Sequence, residues 1–304
     1  MAISRHQLVK ELEPGLNALF GLEYNRYDNQ HAEIYTSENS DRAFEEEVML
    51  SGFGNASVKN EGSGVAFDNA QESFSARYTH ETVALAFAIT EEAIEDNLYD
   101  RISSRYTKAL ARSMSNAKQV KAVTPLIDGL PSTDSFDSGD GVSLFNTAHT
   151  TVSGTNVKNT LTTQADLNET SLEQSLIDIA AMTDERGLRI AARGVKMIVP
   201  SANQFTAERL MKSQGRTGTA DNDINAIVSM GMVPQGYRVN NYLTDTDAFY
   251  IITDIPNGMK MFTRAPLTTA MEGDFDTGNV RYKARERYSF GVSDYRGIFG
   301  VEGA

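Results

Sequence analysis

The chain has 304 residues, a formal charge of −13 and 40% apolar residues, enough core for one large or two ordinary domains. It has no cysteines and only four scattered histidines, His6, His31, His80 and His149. Disulfides, thiolate metal sites and cysteine nucleophiles are therefore excluded, and no histidine pair has ligand spacing.

The acidic balance argues against tight, specific nucleic-acid binding, because phosphate neutralisation dominates that affinity. A container for DNA is different, since its lining need only avoid sticking. No run of about 18 apolar residues exists, and the start "MAISRHQLVKELEPG" carries no apolar signal core, so synthesis and folding in a cytoplasm, away from membranes, are expected.

Residues 4–22 place Leu8, Leu12, Leu16, Leu19 and Phe20 at helical spacing, with Pro14 and Gly15 splitting the pattern. Such a stripe has to pack on something, either another copy or its own domain. The stretch "EIYTSENSDRAFEEEVML" (33–50) predicts a short acidic helix capped by Ser40.

Next comes a pliable hairpin, "SGFGNASVKNEGSGVAFDNAQESF", with glycines at 52, 54, 62 and 64 and a turn expected at Asp68-Asn69. It feeds the strand "QESFSARYTHETVALAFAIT". There Phe74, Ala76 and Tyr78 share one face, whereas Val83, Leu85, Phe87 and Ile89 have the opposite parity. The switch predicts a bulge or bend near His80 to Thr82, where a packed strand becomes a protruding arm. The hairpin has too few apolar residues for a core of its own.

Thr90 then opens a helix of about thirty residues and roughly 45 Å, with Glu91 and Glu92 at its positive end. Its apolar row is Ile94, Leu98, Ile102, Tyr106, Leu110 and Met114; Lys118 and Lys121 sit near the end, and Thr124-Pro125 is its expected stop. Residues 128–167 read as a polar loop of functional or mobile type. A helix in "TSLEQSLIDIAAMTDERG" follows, with a capping box from Thr170 to Glu173 and a stop at Gly187. The strand "VKMIV" leads to a second box, Ser201 with Gln204, and "QGRTGTADND" is a flexible loop. "YRVNNYL", "AFYIITD" and "MKMFTRA" are strands that close a mixed α/β unit.

The last long strand, "NVRYKARERYSFGV", alternates cleanly. Arg281, Lys283, Arg285 and Arg287 face one way; Tyr282, Ala284, Glu286, Tyr288, Phe290 and Val292 face the other. Four stacked cations need anionic partners. Those partners are a neighbouring subunit, DNA, or acidic neighbours in the same sheet.

Catalytic constellations are missing from the sequence. It has no phosphate-binding GxxxxGK[ST], and "GFGNAS" and "GSGVAF" lack the third glycine of a dinucleotide turn. HExxH and GxSxG motifs do not occur, and Asp134, Asp137 and Asp140 lack the ligand period of a calcium loop. No cofactor or metal is expected. Lys59 and Asn60 lie in the pliable hairpin, where a lysine would reach an asparagine of another copy, but no activating carboxylate accompanies them.

The junction "YTHETVALAFAITEEAIEDNLYD", followed by a long helix, resembles the extended-loop-to-spine-helix region of tailed-phage major capsid proteins with the HK-ninety-seven-type fold. The Mu-like major head subunit group is most similar. "YTSENSDRAFEEEVMLSGFG" and "RYKARERYSFGVSDYRGIFG" resemble the group in order and spacing.

The resemblance implies an α+β chain with an N-terminal arm (1–50) and an extended β-hairpin loop (51–83). It further implies a peripheral domain on the spine helix (84–127 and 258–292) and an axial α/β domain (128–257 and 293–304). Hexamers and pentamers would tile an icosahedral virion shell around double-stranded DNA held without sequence specificity. Portal and scaffold or decoration proteins would be its partners. No long scaffolding extension precedes the arm, so scaffold is expected to be separate, dispensable or removed. Lys59, Phe74, Tyr78, Arg281, Lys283, Arg285 and Arg287 are the expected inter-subunit contacts, with Phe74, Tyr78 and the arm buried only on assembly. An encapsulin-like compartment shell, sharing the fold but enclosing enzymes, is the alternative; an unrelated α/β hydrolase or binding protein with a pocket in 128–225 is a more distant one.

Overall fold

The computed structural model describes residues 5–90, 92, 99–215, 223–274 and 278–304, with side chains from Glu13 onward and, in the long helix, from Ser103. Helix α1 (Arg5–Tyr24) precedes a 3-10 turn (Gln30–Glu33), β1 (Thr36–Asn39) and β2 (Phe44–Leu50). After the segment 51–71 come β3 (Glu72–Thr79), β4 (Glu81–Ile89) and the long helix α2 (Tyr99–Asp128). Short strands β5 (His149–Thr150) and β6 (Asn156–Val157) lead to α3 (Glu169–Ala181), β7 (Gly194–Pro200), α4 (Gln204–Lys212) and α5 (Ala226–Met230). The chain finishes with β8 (Tyr237–Asn240), β9 (Phe249–Thr253), β10 (Met259–Gly273), β11 (Val280–Val292) and β12 (Ile298–Val301).

Two sheets result. The first has the order β1-β10-β11-β4, with β1 parallel to β10 and the rest antiparallel. Its alternation is that of β11. Tyr282 and Ala284 point into a core with Leu16 and Phe20 of α1 and Leu110, Ala111 and Met114 of α2. The described part of the α1 stripe, Leu16 and Phe20, is thus covered by its own chain, while the side chains of Leu8 and Leu12 lie outside the described residues. Pro14 lies inside a continuous helix instead of splitting it. An interior proline costs about 3 kcal/mol, which the burial of Leu16 and Phe20 offsets.

Helix α2 buries Ser103, Thr107, Leu110, Ala111, Met114, Ser115, Gln119, Ala122, Val123 and Leu126, a face of mostly small side chains that lets α1 and the sheet approach closely. The expected four-residue row drifts off this face, leaving Tyr106 exposed, while Ile94 and Leu98 and the helix start fall outside the described residues. Thr124-Pro125 does not end the helix, which runs to Asp128 with Pro125 in its last turn. Gly129 follows because a Cβ there would meet the Pro125 carbonyl and Leu144 at 2.7 and 2.6 Å.

The second sheet has the order β12-β9-β7-β8, with β7 and β8 parallel. Met197, Ile198, Val199, Phe249, Ile251 and Phe299 form its core with Leu172 and Ile179 of α3 and Leu210 of α4, and that core continues to Leu126 and Leu130 at the end of α2. β10, expected in this unit, belongs instead to the first sheet, because its long alternating run pairs along β11.

Capping also differs from expectation. Asn168, not Thr170, caps α3 through a reciprocal box with Ser171, α3 ends at Ala181, and no side-chain cap opens α4. The predicted acidic helix in 33–50 is two strands. Phe44, Glu46, Val48 and Leu50 alternate at strand spacing and pair with β3.

Residues 128–167, read as a loose loop, are pinned by buried chemistry. Asn159 Nδ2 donates to the carbonyls of Leu144 (2.7 Å) and Tyr295 (3.1 Å), and its Oδ1 accepts from the Asn146 amide at 2.9 Å. His149 lies stacked on Tyr295 with centroids 3.8 Å apart and bonds Asp140 at 2.6 Å. Beside them Arg296, 3% exposed, pairs with Glu185 and Asp294 and donates to the Thr183 carbonyl at 2.9 Å.

Two stability outcomes follow from these buried groups. Arg296→Met leaves two buried carboxylates unpaired and is expected to cost about 3–5 kcal/mol, read as a lowered denaturation midpoint; an unchanged midpoint contradicts the role. His31 is held neutral between Gln119 (3.0 Å) and the Phe290 ring, and burial, with Lys118 second, depresses its pKa from 6.5 to about 4. A depressed pKa contributes stability above the unfolded value that is lost as pH falls through the folded one. Denaturant titrations should therefore lose up to about 3 kcal/mol between pH 6.5 and about 4. His31→Asn should flatten that slope.

Candidate assembly surfaces

Among the described residues no group of three or more His, Cys, Asp or Glu could hold a metal ion, and no helix is long and apolar enough to cross a membrane. The acidic loop is structural. Asp137 accepts from the Gly139 and Gly141 amides at 2.7 and 3.1 Å, and Asp140 is taken by His149 and Ser138. The features that remain open are surfaces.

The first is the segment between β2 and β3. From Gly52 to Gln71 nearly every residue is exposed, including Phe53, Val58 (92%), Val65 and Phe67 (97%). Its tight turn is at Asn60–Ser63, where the Ser63 amide donates to the Asn60 carbonyl at 3.2 Å, and not at Asp68-Asn69. Lys59 sits exposed beside that turn. The supporting β2–β3 ribbon adds Phe44, Val48 and Leu50 to the uncovered apolar surface. The sequence signal for this face was the alternation in "FEEEVML", masked by its three glutamates.

The ribbon meets the first sheet at His80. This buried ring lies between β3 and β4, bonded to Ser40 Oγ and Ser289 Oγ at 2.9 Å each. Burial, with Arg287 second, holds it below its usual pKa. Here the chain leaves one sheet and joins the other, at the place where the side-chain parity switches.

Phe74 and Tyr78, expected to await a partner, are used within the chain. Phe74 stacks on Tyr295 at 6.0 Å, and Tyr78 is 2% exposed against Phe262, with its hydroxyl 2.5 Å from Ser293 Oγ. Gly291 lies under the Tyr78 ring, where a Cβ would come within 2.6 Å. The exposed anchors are the neighbouring residues on the opposite strand faces and in the loop.

The second surface is the outer face of β11. Arg281, Lys283 and Arg285 are exposed and Arg287 is half-buried, all on the side away from α1 and α2. Most of their neighbours are small: Ala88, Ala86, Ala84 and Thr82 on β4, and Ala270, Thr268 and Ala265 on β10 opposite Lys283, Arg285 and Arg287; Arg281 alone faces a carboxylate residue, Glu272. Arg281 pairs with Asp274 at 2.5 Å, but among the described residues no ion pair engages the other three cations. The Arg287 Nε is buried without a partner. Acidic neighbours in the same sheet therefore account for Arg281 but not, among the described residues, for Lys283, Arg285 and Arg287. On the core side Glu286 is buried with Lys118 (3.3 Å) and Tyr24 (3.4 Å); burial raises its pKa, and Lys118 opposes the rise.

Comparison with solved structures gives the same architecture in shell proteins. A virus-like particle from Pyrococcus furiosus matches with a TM-score of 0.53 and 11% identity, covering 95% of this chain and 98% of that one. The capsid of Myoviridae phage XM1 matches with TM-score 0.53 and 11% identity over 89% of each chain. The capsid of an empty GTA particle matches with TM-score 0.53 and 14% identity, over 90% of this chain and 89% of that one. No curated protein matches by sequence. A family model described as phage capsid protein spans residues 73–301, most of the chain, so the chain belongs to the phage capsid protein family and is a structural subunit of a virion shell.

Proposed function

We propose that this major capsid protein assembles as hexamers and pentamers into an icosahedral shell enclosing double-stranded DNA, in the manner of the HK-ninety-seven-type fold and most like the Mu-like head subunits. In this reading residues 1–50 form an arm and 51–83 the extended loop. Residues 84–127 with 258–292 make the peripheral domain, and 128–257 with 293–304 the axial domain. Portal, scaffold or decoration proteins complete the particle, and the chain is made in the host cytoplasm.

The observation that carries the reading is the uncovered segment 52–71. A soluble monomer gains nothing by holding Val58 and Phe67 almost wholly in water. Each, covered by a neighbour, contributes about 1.5–3 kcal/mol, and a closed lattice repeats the contact in every subunit. Phe67→Asp with Val58→Asp should leave the circular dichroism and melting midpoint unchanged while abolishing particles by negative-stain microscopy. Normal particles from that variant would remove the loop from the assembly interface.

The β11 strip belongs to the same reading as an inter-subunit contact. Its cations stand about 7 Å apart along the strand, on a floor of alanines that lets another backbone approach closely. A second copy is the occupant that charge complementarity favours, since a chain of net charge −13 supplies carboxylates and repels nucleic acid. Lys283→Glu with Arg285→Glu should prevent assembly with the fold intact. Particles that form normally but no longer retain DNA would instead assign the strip to the genome.

A further inference from the structure

The root of the projecting loop is gripped by two consecutive residues of one tight turn. In that turn the Arg186 and Leu188 amides donate to Asp184 Oδ1 at 2.9 and 2.7 Å, and Gly187 takes φ +83. Glu185 points inward to the buried Arg296, where its Oε2 also accepts from Ser73 Oγ of β3 at 2.9 Å and from the Val152 amide at 3.2 Å. Arg186 points outward. Its Nη2 lies 2.8 and 3.1 Å from the two oxygens of Asp68, on the returning leg of the loop. The same carboxylate accepts the Gly54 amide of the outgoing leg at 2.7 Å. Gly54 fits there because a Cβ would come within 3.2 Å of Asp68 Oδ2 and 3.7 Å of Arg186.

We infer that Arg186 is a positioning residue for assembly: with Asp68 and Gly54 it closes a clasp that aims the loop before any neighbour binds. This inference rests on the shell reading for its purpose, though not for its geometry. The loop between the legs is rich in Gly, Ser and Asn, and ordering such a chain on contact with a neighbour is entropically costly. Joining both legs to the turn confines the free span to residues 55–67 and fixes where it leaves the body. The buried half of the grip, Ser73 on Glu185, holds β3; the exposed half, Asp68 on Arg186, holds the loop itself. Being half-exposed, the ion pair is screened by salt and can open without unfolding the domain.

The test uses the full-length unassembled chain. Lys59 is the only lysine or arginine between Arg42 and Arg77, so tryptic cutting at Lys59 reports the loop directly, and hydrogen exchange of the Gly54 amide reports the clasp. Arg186→Ala should speed both by about two- to fivefold, the range of an exposed ion pair, with the melting midpoint unchanged. Arg186→Lys should restore part of the protection, and added salt should move the wild type toward the alanine variant. Particle formation by Arg186→Ala should be slower than wild type. Cutting and exchange rates unchanged in Arg186→Ala would overturn the clasp. If the wild type formed no particles under any condition, the shell reading would fail, while the rates on unassembled chain would still decide the clasp.

Discussion

Strand β11 imposes the constraint from which both faces of the first sheet follow. Because side chains on a strand alternate with period two, one register places Tyr282, Ala284, Glu286 and Tyr288 under α1 and α2 and leaves Arg281, Lys283, Arg285 and Arg287 outside. A slip of one residue would drive the cations into the core at prohibitive desolvation cost. The long antiparallel pairing with β10 and β4 enforces that register along the strand. Core formation and display of the cationic strip are thus one event, and neither can be changed without the other.

The joint at His80 does for direction what β11 does for faces. A continuous strand would have kept the β2–β3 ribbon in the plane of the first sheet. Instead Tyr78 turns in over Gly291 and His80 is held between two serine hydroxyls, so the parity switches and the ribbon leaves the first sheet. The ribbon's inner face is consumed by the chain itself, through Ala76, Tyr78 and Phe262, and only its outer face and the loop remain for a neighbour. This division is what a shell subunit requires. It must fold alone and still retain apolar surface for assembly.

Buried charge ties these parts together. Arg296, Glu185 and Asp294 lie where the loop root, the 183–189 turn and the start of β12 converge. Each charge is costly to bury, and the cluster is tolerable because the guanidinium is shared between two carboxylates and a backbone carbonyl. Such a knot adds little net stability beyond an apolar equivalent, but it leaves one arrangement that satisfies every group.

The sequence by itself determined the secondary periods, the break at His80, the alternation of β11 and the lack of catalytic motifs, because these are local properties of spacing and residue type. The resemblance to capsid subunits rested on the order of those elements, and the family match agrees with it. What the sequence left undecided was pairing. The strand nature of "FEEEVML" was hidden by charge, since Glu47 is neutralised by Lys260, a residue far along the chain. The caps of α3, the course of α1 through Pro14 and of α2 through Pro125, and the burial of Phe74 and Tyr78 were likewise invisible. Each depends on which distant segment packs alongside, and that choice belongs to the tertiary fold, where burial and buried hydrogen bonds outweigh local preference.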